Sequence, residues 1–477
     1  MKTGKSFFVL PALLAALLAG CASTQQTPLS AQITLIPVSD KADIESGMKM
    51  DYFYGANEQA LDHVTCHADQ SCVYSGFTFK EDNKDSTKSQ FDSLVIRTTP
   101  RDTVRWARTY QIGGNYYNTL GMVPTSDGGA LLYGNSLMTN NSNFPIKPSF
   151  EKIDADGIPQ WGGTLNQNVT NFWSAFTAGI RLSDGGYALS GSNRVGGKWY
   201  GIVLRIDSTG KEEWFSAVRS RNELTLLNDI IELKNGDILG VGFNKALHDM
   251  VLFDFGPKGK AKKAPVLHIR GDEVPIGLVN LATGPAIVAS ETMPSGESAA
   301  IIVRLNQKLR AISASRYRYT DGFNPNGVIA LGNGKLCLYG PTEAEAERDK
   351  QSLAFTVNLK MLPDSALLLK GGHVFNSGTK VTGEKILFGG ARPLGTKQRA
   401  SSIVVTWTPS VKNNQAALKG IHREPIKLKE YANESAKQWL TTKSDVTTLH
   451  LKDMTSQLVS GGSPTKPVAP RVGKASQ

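Results

Sequence analysis

The sequence predicts an all-β fold: a β-propeller of about seven four-stranded blades, with a short helical C-terminal segment and a disordered tail. Three observations predict it. A small residue closes an apolar run at Gly76, Gly134, Gly191, Gly242, Ser290, Gly340 and Gly390, in steps of 58, 57, 51, 48, 50 and 50 residues. That period matches a four-stranded blade and exceeds the usual solenoid coil. Tryptophans recur in phase at Trp106, Trp161 and Trp214. Each unit also carries more turn signals than a one-strand coil needs.

The clearest unit runs from Arg181 to Trp214. Ser183-Asp184-Gly185-Gly186 reads as a tight turn, since Asp and Gly tolerate positive φ. Tyr187-Ala188-Leu189 and the run from Tyr200 to Ile206 read as strands, being rich in aromatic and β-branched residues. Asp207-Ser208-Thr209-Gly210 supplies a second turn before Trp214. One such unit cannot bury both faces of its sheet, so it must stack on copies of itself. The recurring tryptophan is expected to pack between blades and not to contact a ligand. The alternating run Gln32 to Ile36 is expected to complete the blade around Gly390, which gives a propeller over residues 31–410.

The chain opens with Lys2 and Lys5, then an apolar stretch from Phe7 to Leu18. This is too short to span a bilayer and reads as a signal peptide over residues 1–20. It ends Leu18-Ala19-Gly20-Cys21, which resembles the bacterial lipobox. The resemblance implies lipidation of Cys21, and Ala22 after it implies the outer membrane of a Gram-negative cell. Residues 21–30 read as a flexible tether.

At the other end, Glu424 to Thr442 places Leu428, Tyr431, Ala432, Ala436, Trp439 and Leu440 roughly on one helical face. The extension 411–445 is therefore expected to be partly helical. Residues 446–477 are expected to be a mostly disordered basic tail.

Lys and Arg number 53 against 42 Asp and Glu; without Lys2 and Lys5 the mature balance is +9. The charge is diffuse, with no aromatic-interleaved basic stripe and no nucleic-acid motif. Of four cysteines, Cys66 and Cys72 flank a turn, and in an oxidising periplasm they predict a hairpin disulfide. A metal site with His63 and His67 is the alternative, although the spacing fits no common zinc pattern. Cys337, inside KLCLYG, is expected to be a buried inert thiol. No nucleophile elbow, phosphate loop or metal-ligand pattern occurs, and no cofactor is expected. Asp154-Ala155-Asp156-Gly157 lacks the later oxygen ligands of a calcium loop and reads as a turn.

The Asp-x-x-Gly-x-x-x-Trp turns, Asp154 to Trp161 and Asp207 to Trp214, resemble the tryptophan-docking turns of quinoprotein-type propellers, one residue shorter than usual. The DGG-plus-strand half is similar to bacterial propeller repeats of about 50 to 60 residues. With the lipobox, the plan resembles the propeller lipoprotein of the β-barrel assembly machinery, though blade count and turn length differ. That resemblance implies a scaffold binding a partner through loops on one face. The expected function is thus a non-enzymatic scaffold on the periplasmic side of the outer membrane, bound to other envelope proteins in biogenesis, secretion or conjugation machinery. The alternatives are a surface ligand- or carbohydrate-binding lipoprotein, or a propeller enzyme of carbohydrate-active or quinoprotein-like type. The polar inserts Lys80 to Gln90 and Met138 to Lys147 are the loops to inspect first.

Overall fold

The computed structural model describes most of residues 58–426, together with 34–37, 48–54, 429–431 and 450–453. Within 58–426 it leaves out 81–89, 113–114, 138–145, 167–173, 196–197, 219–224, 245–248, 264–265, 270–271, 344–350, 371, 393–400 and 412–413. Cys21, the signal segment, the tether, the inner parts of both polar inserts and residues 432–449 lie outside the described residues.

Each repeat folds as one antiparallel blade, numbered 1 to 7 along the chain. Blade 3 is typical: Ala175–Arg181 is innermost, then Tyr187–Val195, Lys198–Ile206 and Glu212–Val218 at the rim. The innermost strands of blades 1 to 7 are Glu58–Cys66, Asn115–Pro124, Ala175–Arg181, Thr225–Glu232, Asp272–Leu281, Gly327–Gly332 and Val374–Thr382. Each packs beside the next, and the seventh packs on the first, so the seven blades form a closed ring.

The core is divided in the same way. Seven apolar clusters occupy the seven seams, one between each pair of neighbouring blades. Both faces of every sheet are therefore covered, and side chains along one strand alternate between seams. In blade 5, Ile301 and Val303 enter the seam with blade 4, while Ile302 enters the seam with blade 6. This is why the strands read as continuous apolar runs and not as an alternation.

The repeating glycine sits in the second strand of each blade, one strand further out than its place in the sequence unit suggests. Opposite it, the innermost strand bulges, as between Thr119 and Gly121, Phe176 and Ala178, and Phe375 and Ser377. The bulge pushes a carbonyl oxygen toward the glycine. A Cβ at Gly134, Gly191, Gly242, Gly340 or Gly390 would collide with that oxygen.

The Asp-Gly turns also share one geometry. In the turn after Asp207, the Asp207 N–H donates to Lys211 O at 2.9 Å and the Gly210 N–H donates to Asp207 O at 3.1 Å. Gly210 has φ +87°. Leu309 and Met361 hold the same place at φ +60° and +62° and keep their side chains buried.

The tryptophans lie between blades as expected. Trp161 of blade 2 covers the turn glycine Gly210 of blade 3, where an added Cβ would lie 2.6 Å from the ring. Trp214 covers Gly259 of blade 4 at the same distance. Trp106 Nε1 donates to Ala155 O in the blade 2 turn at 2.9 Å.

Two expectations about the chain ends are corrected. Met48–Tyr54, not the run 32–36, supplies the fourth strand of blade 7, pairing with Ser401–Trp407. Thr34–Pro37 pairs outside it as a fifth strand. Met48–Tyr54 packs Met48 and Met50 on the seam with blade 6 and buries Phe53 in the seam with blade 1, but it precedes the first closing glycine and so falls outside the repeat pattern. The helix expected over 424–442 is not formed in its described part. Among the described residues only Gln415–Lys419 is helical, capped by Asn414. Ile421–Ile426 and Lys429–Tyr431 are strands on the rims of blades 5 and 4. Within the tail expected to be mostly disordered, His450–Asp453 pairs with the rim of blade 2. Open sheet edges offer backbone pairing to any nearby extended chain, and this overrides local helical periodicity.

Candidate functional site

The antiparallel order puts the first-to-second and third-to-fourth strand turns on one end of the ring, here the turn face. The second-to-third strand connections and the links between blades lie at the opposite end, the loop face. Three groups of polar residues stand out against this frame.

The first is the inner ring. Asp62 and His63 sit at the bulge of blade 1, Asn228 and Asp229 at that of blade 4, and Asn376 at that of blade 7. Asn376 Nδ2 donates to Asp62 Oδ1 at 2.8 Å across the closing seam. Asp229 Oδ2 accepts the Leu278 N–H of blade 5 at 2.7 Å, and Oδ1 accepts the Ile230 N–H at 2.8 Å. Burial raises the Asp62 carboxyl, opposed by the Asn376 bond, and raises Asp229 to about 6 against its two backbone bonds. Burial lowers His63 to about 4, so it is neutral at physiological pH. Both acids thus tie one blade to the next. The same role falls to Asn326 Nδ2 on Phe375 O at 2.9 Å and Thr177 Oγ1 on Leu227 O at 3.2 Å.

The second group lies on the loop-face side of blades 4 and 5. Glu273 and Glu291 are cross-strand neighbours, and both are fully buried. Arg316 holds Glu291 with Nε and Nη2, each at 2.5 Å. Asp249 pairs with His268 Nδ1 at 2.5 Å. Neither oxygen of Glu273 has a hydrogen-bond partner of proper geometry, although the Ile269 N–H faces its carboxylate. Burial, then the Glu291 and Asp249 charges, push Glu273 up to about 9. It is a neutral acid at pH 7. The cluster stores charge in paired form and presents no group of three ligands that could hold a metal among the described residues.

The third group is the rim. Blades 2, 4, 5 and 7 each carry an extra outer strand contributed by a chain end: His450–Asp453, Lys429–Tyr431, Ile421–Ile426 and Thr34–Pro37. Blade 6 is covered by the helix Gln415–Lys419, with Asn414 N–H donating to Ala366 O at 3.0 Å. The rims of several blades therefore take extended chain by main-chain pairing. Sequence patterns did not reveal them, because the pairing uses backbone groups that every residue has.

The residues singled out in the sequence fall as follows. Cys66 and Cys72 are joined as a disulfide across the first turn of blade 1, so neither is a metal ligand alongside His63 and His67. Cys337 is buried, and burial pushes its thiol up, which makes it unreactive. Asp154 caps its own turn, its Oδ1 accepting the N–H groups of Asp156 and Ile158 at 2.9 Å each. Its carboxylate serves the turn.

A scan against protein-family models finds no match, and a search of the curated proteins finds none. Solved structures do align. A protein of unknown function from Dyadobacter fermentans is 12% identical with a TM-score of 0.38, over 74% of this chain and 95% of its own. The periplasmic gluconolactonase of Pseudomonas aeruginosa is 11% identical with a TM-score of 0.39, over 75% of this chain and 99% of its own. A mannose phosphorylase of Leishmania mexicana is 11% identical with a TM-score of 0.26, over 68% and 87%. At such identity these are likenesses of shape, and it is the chain's own strand order and ring closure that make it a seven-bladed β-propeller.

Proposed function

We propose that this chain is a non-enzymatic scaffold, lipid-anchored at Cys21 to the periplasmic face of the outer membrane, that binds other envelope proteins in a biogenesis, secretion or conjugation assembly. The anchor rests on the sequence Leu18-Ala19-Gly20-Cys21. The observation that carries the scaffold reading is the rim. Among the described residues, four of seven blades take an added strand there, so the fold is equipped to recognise extended polypeptide. The inner-ring acids Asp62 and Asp229 are used in the seams, which supports the same reading.

The test is an affinity pull-down from crosslinked, detergent-solubilised envelopes, with a C-terminal tag and Cys21 intact. A small stoichiometric set of envelope proteins is expected. Recovery of the chain alone would reject the scaffold. A Cys21→Ser variant is expected in the soluble periplasmic fraction; unchanged membrane retention would reject the anchor.

The enzyme alternative has one observation in its favour: Asp62 is a half-buried acid with a raised pKa on the inner ring. Loss of a measured hydrolase or lactonase activity in Asp62→Asn would favour it.

A further inference from the structure

We propose that the rim of blade 5 is an exchangeable acceptor for an extended acidic segment of a partner polypeptide, and that Ile421–Ile426 is its intramolecular occupant. This deepens the scaffold reading and rests on it for the existence of a partner.

The occupant shows what chemistry the rim accepts. It runs antiparallel to Ala311–Tyr319, pairing from Tyr319 with Ile421 to Ala314 with Ile426. The two terminal side chains enter the two neighbouring seams. Ile421 joins the cluster between blades 5 and 6, and Ile426 packs on the one between blades 4 and 5. Glu424 lies on the same side as Ile426, opposite Arg316. It is 3.4 Å from Arg316 Nη1 and also bonds Arg318 Nη2. Arg316 is a fixed fork, because buried Glu291 holds its Nε and Nη2. A guanidinium positioned in this way recognises a carboxylate without first losing rotamer freedom. The rim therefore selects an extended chain with a carboxylate between two apolar anchors.

The occupant is also held weakly enough to leave. It is six residues long, and His422, Arg423 and Pro425 are exposed. Edge segments with few buried side chains open at lower free energy than the body of a sheet. A partner strand competes with an intramolecular one at an effective concentration of about millimolar, so its apparent affinity is scaled down by the fraction of open rim. The mature excess of basic over acidic residues favours the approach of an acidic segment.

The test uses the full chain and a fluorescein-labelled peptide of its residues 419–431 as probe, read by fluorescence anisotropy. Wild type is expected to bind weakly. Glu424→Ala in the protein loosens the occupant and leaves the acceptor intact, so the peptide is expected to bind at least about tenfold tighter. Arg318→Glu added to Glu424→Ala reverses the acceptor in a chain whose occupant has already lost its carboxylate, and is expected to weaken binding about tenfold relative to Glu424→Ala alone, with recovery by a peptide carrying Glu424→Lys. Equal affinity for wild type and Glu424→Ala, or no saturable binding to either, overturns the proposal. So does a Glu424→Ala/Arg318→Glu protein that binds the native peptide as well as Glu424→Ala alone. Peptide exchange alongside an empty envelope pull-down would reject the scaffold while leaving the acceptor standing.

Discussion

Raising the pH from 5 to 8 is expected to destabilise this protein through Glu151, and Glu151→Gln is expected to abolish that part of the loss. Glu151 lies on the third strand of blade 2, Ile146–Ile153, and is buried, with Oε2 unpartnered. Burial pushes its carboxyl from 4.5 to about 8. The folded state thus keeps its proton over a range where the unfolded chain releases it. Stability is fully present below about pH 4.5 and falls as pH rises toward 8. At about 1.4 kcal/mol per pH unit the whole gap is worth about 5 kcal/mol, of which about 3 to 4 kcal/mol falls between pH 5 and 8. Glutamine matches the protonated acid in shape and does not titrate. Urea unfolding of both proteins at pH 5, 6, 7 and 8 measures the effect as a difference, which cancels other groups such as Glu273. At pH 5 the two should agree within about 1 kcal/mol, and by pH 8 the variant should lead by about 3 kcal/mol. A difference that stays flat across this range refutes the reasoning, since Glu151 would then ionise like an exposed carboxylate.

Other positions give sharper contrasts. Gly191→Ala puts a Cβ into the Ala175 carbonyl oxygen and should cost about 3 kcal/mol or more by thermal melting, whereas Gly185→Ala, at φ +91° with open space around it, should cost about 1 kcal/mol. Trp214→Ala uncovers Gly259 and removes packing from the seam of blades 3 and 4; a loss of about 3 kcal/mol in urea unfolding is expected. Deleting residues 48–54 removes the closing strand of blade 7, with Phe53 from the seam to blade 1, and should prevent cooperative unfolding in calorimetry, while deleting 34–37 should leave a cooperative transition. Met361→Gly relieves a left-handed φ worth about 1 kcal/mol but removes a buried side chain worth about 2 kcal/mol, so a net loss of about 1 kcal/mol is expected by the same method.

The number of blades was legible because each blade repeats a local demand. Gly134, Gly191, Gly242, Gly340 and Gly390 lie under a bulge carbonyl that admits no Cβ. Gly157, Gly210 and Gly259 hold a left-handed φ, and Trp161 and Trp214 need the flat surface of such a glycine in the next blade. The candidate site was much less legible. Asp62 and Asn376 are 314 residues apart, and nothing in either neighbourhood announces their bond. Glu273 and Glu291 are 18 residues apart in sequence, and only strand pairing sets them side by side in the core. Glu424 sat in a stretch with helical periodicity, and its meeting with Arg316 and Arg318 depends on which rim the chain reaches.

By itself, then, the sequence determined the local geometry: where turns fall, which residues tolerate their φ, and which position in each blade must be small. These are short-range steric requirements, and few residue types meet them, so they leave a signature. Only the tertiary structure decided that Met48–Tyr54 closes the ring and that Ile421–Ile426, Lys429–Tyr431 and His450–Asp453 lie on the rims of blades 5, 4 and 2. Edge pairing joins backbone N–H and C=O groups, which nearly every residue supplies. A strand's side chains favour an edge only through what that edge presents, as Arg316 and Arg318 do to Glu424, and those groups come together only in the assembled ring.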